Sequence, residues 1–514
     1  MLNKMIAVID FGSQYTQLIA RRIREQNVYS EIFPHTYTAR DLRKKNIQAI
    51  ILSGGPSSVY NTNAPQIDLD ILQLEVPILG ICYGMQLLIK NSGGNVRNKG
   101  QGEYGFSEIN KVENSILLKN IANPSKVWMS HGDEVDDLGN KYKIIARSSN
   151  RVIAAVEHKE DNKYGVQFHP EVIHTIEGEK IIKNFLFKIA NCNPDWTAAN
   201  FINESISKIQ DVTGDTGRVI TGISGGVDSS VVGTLLHRAI GERSSCVFID
   251  HGLLRKGEAD QVMGTLKDGL GLNIKKYNYT EKFIYSLKGV IDPEKKRKII
   301  GEQFIRAFEK IANKDHKAKF LAQGTLYPDV IESGGSALGP AVTIKSHHNV
   351  GGLPENMDFK LIEPIRDLFK DEVRKVGKEL GLPKFVINRH PFPGPGLAVR
   401  ILGEITPEYI SILQEADDIF INILHETGEY DKIWQAFAVL VPTKTVGVMG
   451  DTRTYENLIA LRAVTSVDGM TAEYYNLPHN ILNKCANEII NKVRGVNRVV
   501  YDITSKPPGT IEWE

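Results

Sequence analysis

The chain has 514 residues, a length at which a single hydrophobic core gives way to two or more domains. Its formal net charge is +1, so no overall field attracts nucleic acid or an anionic membrane. The apolar runs are as short as strands, and none reaches the roughly 20 residues of a membrane helix. Four scattered cysteines fit no metal or disulfide pattern, so we expect a cytoplasmic protein without nucleic-acid or membrane partners.

The first block, residues 1–194, alternates short apolar strands with helical patterns. This alternation predicts an α/β domain with a largely parallel sheet. The predicted strands cover residues 5–10, 49–53, 78–82, 127–129 and 164–168.

Three polar or glycine-rich segments follow predicted strands of this block. Residues 80–84 place Cys82 between glycines, which permits a sharp turn that exposes the sulfur at the start of a helix. The helix N-terminus favours the thiolate. His169 can deprotonate a cysteine and Glu171 can orient the imidazole, while residues 53–56 can donate N–H groups to an oxyanion. A lone buried cysteine is usually a core residue, but the three segments together favour catalysis.

These segments read GICYGMQ, GVQFHPE and SGGP, and they resemble the signatures of class I glutamine amidotransferases. The resemblance implies Cys82 as the nucleophile, His169 as the base and Glu171 as its orienting acid. It also implies an oxyanion hole made by the backbone N–H groups of Gly55 and Tyr83. The expected products are ammonia and glutamate, formed through a thioester. The opening segment, VIDFGSQYTQLIARR, is similar to the version fused to GMP synthetases.

The second block, residues 195–388, contains a new α/β series. A strand at 219–223 leads into SGGVDSS and then a helix, and strands at 246–250 and 320–323 end at Asp250 and Gly324. Glycines allow close backbone approach to a phosphate, and the helix N-terminus supplies free N–H groups. An aspartate in such a loop suits a phosphate only if Mg²⁺ bridges the two.

The SGGVDSS loop lacks the endings of a Walker A loop and of a dinucleotide fingerprint. It resembles the PP-loop of ATP pyrophosphatases, which have an adenine nucleotide alpha hydrolase-like fold and transfer AMP to a carbonyl oxygen. The resemblance implies Mg²⁺ with ATP at Asp228. It implies ATP contacts from Ser224, Gly225, Gly226, Val227, Asp228, Ser229, Ser230, Asp250 and Gly324. A glutaminase and an adenylating domain complete one reaction, because AMP is a good leaving group and ammonia is the nucleophile.

The third block, residues 389–514, starts with HPFPGPGL at 390–397, which predicts an irregular hinge. Helical patterns at 409–427 and 481–493 and strands at 445–448 and 498–503 predict a small α+β domain. Apolar helix residues predict that this block forms a dimer; they include Ile410, Ile412, Leu413 and Ile419.

The whole chain resembles GMP synthetases, through segments such as DPEKKRKIIG, IKSHHN, VGVMGD and TSKPPGTIEWE. The resemblance implies a homodimer that uses xanthosine monophosphate (XMP), ATP and glutamine. It implies an adenyl-XMP intermediate and release of GMP, AMP, pyrophosphate and glutamate. It implies an XMP site made by Arg297, Gln435, Asp451, Lys506 and Glu512. We also expect a mobile lid at the segment that contains Lys345, because Gly351–Gly352 follows it.

Rival classes share parts of this pattern. NAD synthetases use a similar loop but usually carry a nitrilase-type glutaminase, and asparagine synthetases need an N-terminal cysteine where this sequence has Met1–Leu2. Loop-containing tRNA thiolases need an RNA-binding surface and usually extra cysteines. A non-catalytic binding module does not need the set Cys82, His169 and Glu171. ATP pyrophosphatase activity against a nucleotide panel separates these classes.

Overall fold

A computed structural model of the protein describes residues 4–312, 314, 318–334, 359–449, 451–466, 469 and 471–514. The chain forms two compact units, the first ending at Asn200 and the second beginning at Phe201. Within the described ranges, no helix combines the length and the apolar character needed to cross a membrane.

The first unit contains one nine-stranded sheet. Its strands are β1 (Met5–Asp10), β2 (Ser30–Pro34), β3 (Ile47–Leu52), β4 (Ile78–Ile81), β5 (Asn95–Lys111), β6 (Ser125–Asp137), β7 (Tyr142–Ser148), β8 (Ile153–His158) and β9 (Lys163–Val166). The strand order is β2-β1-β3-β4-β9-β8-β7-β5-β6. Strands β2, β1, β3, β4 and β9 are parallel to one another. Strands β8, β7, β5 and β6 extend the sheet beyond β9 through antiparallel pairs. The prediction of a parallel sheet therefore holds for β2, β1, β3, β4 and β9, the part of the sheet next to Cys82.

Helices cover the parallel half of this sheet. They are α1 (Thr16–Arg24), α2 (Ala39–Arg43), α3 (Tyr83–Lys90) and α4 (Gly178–Lys183), with a 3-10 turn at Leu69–Gln73 and a π-helical segment at Asn184–Ile189. Strand β4 is buried along its whole length, as expected of a central parallel strand. Helix α1 buries Ile19, Ala20 and Ile23 on one face, the spacing of an amphipathic helix.

The second unit contains a five-stranded parallel sheet with the order β12-β11-β10-β13-β14 in the following numbering. Its strands are β10 (Arg218–Ile223), β11 (Ser244–Asp250), β12 (Ile274–Asn278), β13 (Ala318–Ala322) and β14 (Lys360–Ile362). Its helices are α5 (Ala198–Thr213), which starts at the unit boundary, α6 (Val227–Ile240), α7 (Glu258–Met263), α8 (Thr280–Ser286), α9 (Pro293–Ala312), α10 (Tyr327–Gly334), α11 (Lys370–Glu379) and α12 (Lys384–Ile387).

The C-terminal part of this unit adds a second sheet and two long helices. These are α13 (Pro407–Glu426), β15 (Gln435–Met449), β16 (Thr452–Thr465), β17 (Glu473–Tyr474), α14 (His479–Lys492) and β18 (Val496–Tyr501). Strands β15 and β16 form a long antiparallel hairpin, and β18 pairs with β16 in parallel. Thr406 caps α13 by accepting a hydrogen bond from the Tyr409 N–H, with Pro407 as its first residue. No helix or strand is assigned from 390 to 395, as HPFPGPGL predicts.

One hydrophobic cluster joins the parallel sheet to the C-terminal helices, since Val247 of β11 and Leu413 of α13 belong to it. Residues before and after position 388 share this core. The predicted domain boundary between residues 388 and 389 therefore stays a prediction. Ile410, Ile412 and Leu413 are buried within the chain itself. These residues therefore give no support to a dimer, because they pack in the core of their own chain, and the dimer stays a prediction.

Candidate active sites

Cys82 lies at the turn between β4 and α3, in a strained backbone conformation. Its φ is +51°, which is uncommon for a residue with a side chain. Its backbone N–H donates to the Val166 carbonyl at 2.7 Å. A Cβ on Gly80 would lie 2.6 Å from the Gly84 carbonyl carbon, and one on Gly84 would lie 2.4 Å from the Leu52 oxygen. Both glycines are therefore required by close backbone contact, and the turn holds the sulfur at the carboxyl edge of the sheet.

His169 and Glu171 form a buried pair beside this cysteine. The His169 Nδ1 and Glu171 Oε1 atoms are 2.7 Å apart. The main chain fixes the pair, since the His169 N–H donates to the Trp128 carbonyl and Thr175 Oγ1 donates to the His169 carbonyl. Burial alone lowers the pKa of His169, but the charge of Glu171 and hydrogen bonds with Cys82 and Glu171 raise that pKa well above its ordinary value. The site therefore favours an imidazolium at His169 beside the Cys82 sulfur.

The backbone at Gly55 and Tyr83 lies next to the same site. A Cβ on Gly55 would lie 3.2 Å from Tyr83 Cγ, and a Cβ on Gly54 would lie 3.2 Å from His169 Cε1. The Tyr83 N–H is the first of helix α3 and has no acceptor within the helix. The Tyr83 hydroxyl donates to the Pro65 carbonyl at 2.6 Å, and burial raises its pKa to about 12. The side chain is thus structural, and the backbone N–H is the group available to an oxyanion.

A further segment beside the thiol was missed in the sequence. The Cys82 sulfur lies 3.7 Å from the Ser130 carbonyl oxygen, and Gln167 Nε2 lies 3.5 Å from the sulfur. Gln86 Nε2 donates to the Asp133 carbonyl at 2.8 Å. The Asp133 Oδ2 atom is buried and has no hydrogen-bond partner in the described part of the chain. The available signal was the sequence SHGD directly after the predicted strand at 127–129.

The Ser224–Ser230 loop connects β10 to α6 in the second unit. Gly225 has a φ of +76°, and a Cβ there would lie 2.6 Å from a Val262 methyl carbon. The Ser229 hydroxyl accepts the Ser224 N–H at 3.1 Å, and the Gly226 N–H donates to Ser224 Oγ at 3.3 Å. The loop is therefore held in shape by its own hydroxyls, above the N-terminus of a 14-residue helix. This is the geometry of an anion site.

Asp228, Asp250 and Gly324 lie at the same edge, because β11, β10 and β13 are parallel neighbours. A Cβ on Gly324 would lie 3.6 Å from Asp228 Cβ, and Asp250 Oδ1 accepts the Gly252 N–H at 3.2 Å. The sequence reasoning missed Lys370, the first residue of α11, whose Nζ lies 2.6 Å from Asp228 Oδ2. The other Asp228 oxygen is buried without a hydrogen-bond partner among the described residues.

Gln435 and Glu512, two predicted acceptor contacts, lie together. Gln435 Nε2 donates to Glu512 Oε1 at 2.7 Å and to the Pro391 carbonyl at 3.0 Å. Arg400, which is fully buried, donates to both carboxylate oxygens of Glu512 at 2.8 and 3.0 Å. The bidentate pair orients Glu512 and keeps its negative charge stabilised. Arg400 gives no local signal in the sequence and was not predicted.

Arg297 and Lys506 are engaged by backbone oxygens. Arg297 Nη2 donates to the Glu514 carbonyl, and Lys506 Nζ donates to the Gly469 carbonyl at 2.8 Å. Beside Arg297, the fully buried Lys296 pairs with the Glu514 carboxylate at 2.5 Å. The contacts of Lys296 and Arg297 with Glu514 fix the end of the tail against α9, the helix that carries both of these residues.

Asp451 is not brought to this cluster. Asp451 follows the tip of the β15–β16 hairpin, whereas Gln435 starts β15 at its other end. At about 3.3 Å per residue, a straight strand of this length would separate them by roughly 40–50 Å. Lys345 lies outside the described residues, so the predicted lid stays a prediction.

Three sequence families match the chain. Residues 7–189 match Glutamine amidotransferase class-I, residues 198–312 match NAD synthase, and residues 422–513 match the GMP synthase C terminal domain. The class is therefore a glutamine amidotransferase joined to a nucleotide-using synthase.

Full-length relatives define the family further. The chain is 54% identical over 515 residues to a glutamine-hydrolyzing GMP synthase of Caldicellulosiruptor saccharolyticus, covering 100% of both chains. It is 55% identical to that of Chlorobaculum tepidum, covering 99% of both. A glutamine amidotransferase structure from Thermotoga maritima is 21% identical with a TM-score of 0.29, covering 37% of this chain and 87% of that one. The chain belongs to the glutamine-hydrolyzing GMP synthase family.

Proposed function

We propose that the chain makes GMP from XMP with ATP, using ammonia that it releases from glutamine. One observation carries the proposal: a buried Cys82–His169–Glu171 arrangement and a phosphate-type loop at Ser224–Ser230 occur in one chain, each at a sheet edge. The small, polar substrates and the four free cysteines fit a cytoplasmic location.

In the first unit, His169 accepts the Cys82 proton and the thiolate attacks the glutamine amide carbon. Glu171 stabilises the resulting imidazolium, and the backbone N–H groups of Gly55 and Tyr83 stabilise the tetrahedral oxyanion. The imidazolium returns its proton to the departing ammonia. Water then hydrolyses the thioester, with His169 again as the base, and glutamate leaves.

In the second unit, the Ser224–Ser230 loop binds the ATP phosphates through its N–H and hydroxyl groups. Lys370 adds a positive charge beside Asp228. Asp228 fits a Mg²⁺ ion that arrives with ATP, since one of its oxygens is buried and unpartnered in the described chain, and the ion would neutralise phosphate charge. The XMP carbonyl oxygen attacks the α-phosphorus and pyrophosphate leaves. Ammonia then displaces AMP, and GMP forms.

The acceptor site combines cations with a carboxylate and an amide. Arg297 and Lys506 bind the XMP phosphate in place of the backbone oxygens that they contact here. Gln435 and Glu512 bind the purine edge, because an amide and a carboxylate match its N–H and carbonyl groups. Asp451 reaches this site only from a second copy of the chain, given its place on the hairpin.

We also propose that the protein is a homodimer. The outer end of the β15–β16 hairpin exposes three apolar side chains on one face, with Val446 at 53%, Val448 at 74% and Tyr455 at 59% exposure. Such a face is stabilised by a partner. Light scattering should report a dimer at micromolar concentration, and Val448→Glu should shift it to monomer. A monomeric unmodified protein would contradict this part of the proposal.

The test of function is pyrophosphate release from ATP with ammonia and a panel of acceptors. Release should require XMP, and one GMP should form per pyrophosphate. Deamido-NAD belongs in the panel, because residues 198–312 also match NAD synthase. Turnover with deamido-NAD alone, or formation of ADP and phosphate, would overturn the proposed function.

A further inference from the structure

Phe392, in the HPFPGPGL segment, is surrounded by three arginines. The guanidinium carbons of Arg255, Arg389 and Arg400 lie 5.4, 5.6 and 5.1 Å from the centroid of its ring. These distances are within the range of cation–π attraction, about 6 Å. A half-buried aromatic ring thus serves as the common packing surface of three cations.

The cluster is not an uncompensated positive charge. Each guanidinium has an acidic partner: Arg255 with Asp417, Arg389 with Glu258, and Arg400 with Glu512. Burial of three like charges would otherwise be unfavourable. The bidentate pair of Arg400 with Glu512 and the contacts of Arg389 with Glu258 and Gly225 fix the direction of these two guanidinium groups.

Two of these arginines reach opposite halves of the proposed synthetase site. Arg389 Nη1 donates to the Gly225 carbonyl of the phosphate-type loop at 3.0 Å. Arg400 holds Glu512, the proposed purine contact, by two hydrogen bonds of 2.8 and 3.0 Å. Phe392 therefore packs against both Arg389, which holds the phosphate-type loop, and Arg400, which holds Glu512.

Adenylation demands that the acceptor oxygen lie about 3–3.5 Å from the α-phosphorus and in line with the leaving group. In the proposed function, the Ser224–Ser230 loop positions ATP and Glu512 positions the acceptor. The reaction therefore depends on the distance between the loop and Glu512. We propose that Phe392 is a positioning residue that sets this separation through Arg389 and Arg400. This inference rests on the proposed function.

The test compares Phe392→Leu, which removes the ring, with Phe392→Tyr, which keeps it, in the full-length protein. Phe308→Leu is the matched control, a partly buried phenylalanine of the same unit. Pyrophosphate release is measured with ammonia while ATP and XMP are varied, and glutaminase activity of each preparation is measured in parallel. We expect Phe392→Leu to lower kcat about ten- to a hundred-fold, since an ångström of misplacement costs about that much. Phe392→Tyr and Phe308→Leu should stay within about threefold of the unmodified protein, as should all glutaminase rates.

A kcat of Phe392→Leu within about threefold of the unmodified protein, or an equal loss in Phe308→Leu, would overturn the inference. If Phe392→Leu does not fold, Arg389→Lys and Arg400→Lys take its place, because lysine keeps the charge but loses the planar fork. Unchanged kcat in both would also overturn it. Absence of XMP-dependent pyrophosphate release in the unmodified protein is a separate result, which refutes the proposed function instead.

Discussion

Replacement of Glu171 by glutamine tests the amidotransferase site most sensitively. The substitution keeps the shape of the side chain and removes its charge. The His169 Nδ1–Glu171 Oε1 distance is 2.7 Å, and the two side chains are only 4% and 0% exposed. Solvent therefore cannot replace the lost charge. A hydrogen bond to a charged group contributes about 1.5–3 kcal/mol, and about 1.4 kcal/mol corresponds to a factor of ten in rate. We expect glutaminase kcat/KM to fall about ten- to a hundred-and-fifty-fold.

Glu171→Gln should also shift the pH profile of the glutaminase, and the pKa of His169 gives the direction of that shift. Although burial acts in the opposite direction, the charge of Glu171 raises the pKa of His169, so the imidazolium persists until the pH rises through that elevated pKa. Glu171→Gln removes this support and lowers the pKa of His169. The alkaline limb of the glutaminase profile should therefore move to lower pH. The assay is glutamate release across a pH series.

Glu177→Gln is the matched control, since Glu177 is a hydrogen-bonded carboxylate of the same unit. It should leave both rate and pH profile unchanged. Ammonia-dependent GMP synthesis should be normal in both variants. An unchanged alkaline limb in Glu171→Gln, with a rate within about threefold, would refute the assigned role of Glu171.

Three other substitutions separate the sites. Cys82→Ala should abolish glutamine-dependent synthesis and leave ammonia-dependent synthesis intact, when GMP is measured with each nitrogen source; loss of both in a folded variant contradicts two sites. Asp228→Ala should stop pyrophosphate release with either source, and near-normal release would remove Asp228 from the ATP site. Lys506→Ala should raise the XMP KM about ten- to a hundred-fold, through loss of one charge-assisted contact. The exposed Lys492→Ala serves as its control, and equal XMP titrations would place the acceptor site elsewhere.

The turn at Cys82 was predictable from the sequence because most of its constraints are local. Gly80, Cys82 and Gly84 lie within five residues of the chain, and the contact that requires Gly80 arises within one strand–turn–helix segment, although Gly84 packs against Leu52 of β3. The same holds for Ser224–Ser230, whose hydroxyls bond within the loop itself. Short-range requirements of this kind leave a readable motif.

The missed residues depend on contacts between distant parts of the chain. Lys370 meets Asp228 across 142 positions, and Arg400 meets Glu512 across 112. No local pattern marks such pairs. Strand β16, which pairs with β15 in the long hairpin, was also missed. Asp451 is the opposite case. A sequence motif marked it as an XMP contact, but only the hairpin showed that it lies far along the strand from Gln435.

The central claim is that ATP activates the carbonyl oxygen of XMP as an adenylate. The most direct measurement uses XMP labelled with ¹⁸O at the purine carbonyl that is replaced, together with ATP and ammonia. Mass spectrometry of the products should find the label in the phosphate of AMP, with one labelled AMP for each GMP. Unlabelled AMP, or label in inorganic phosphate with ADP as the co-product, would contradict the account.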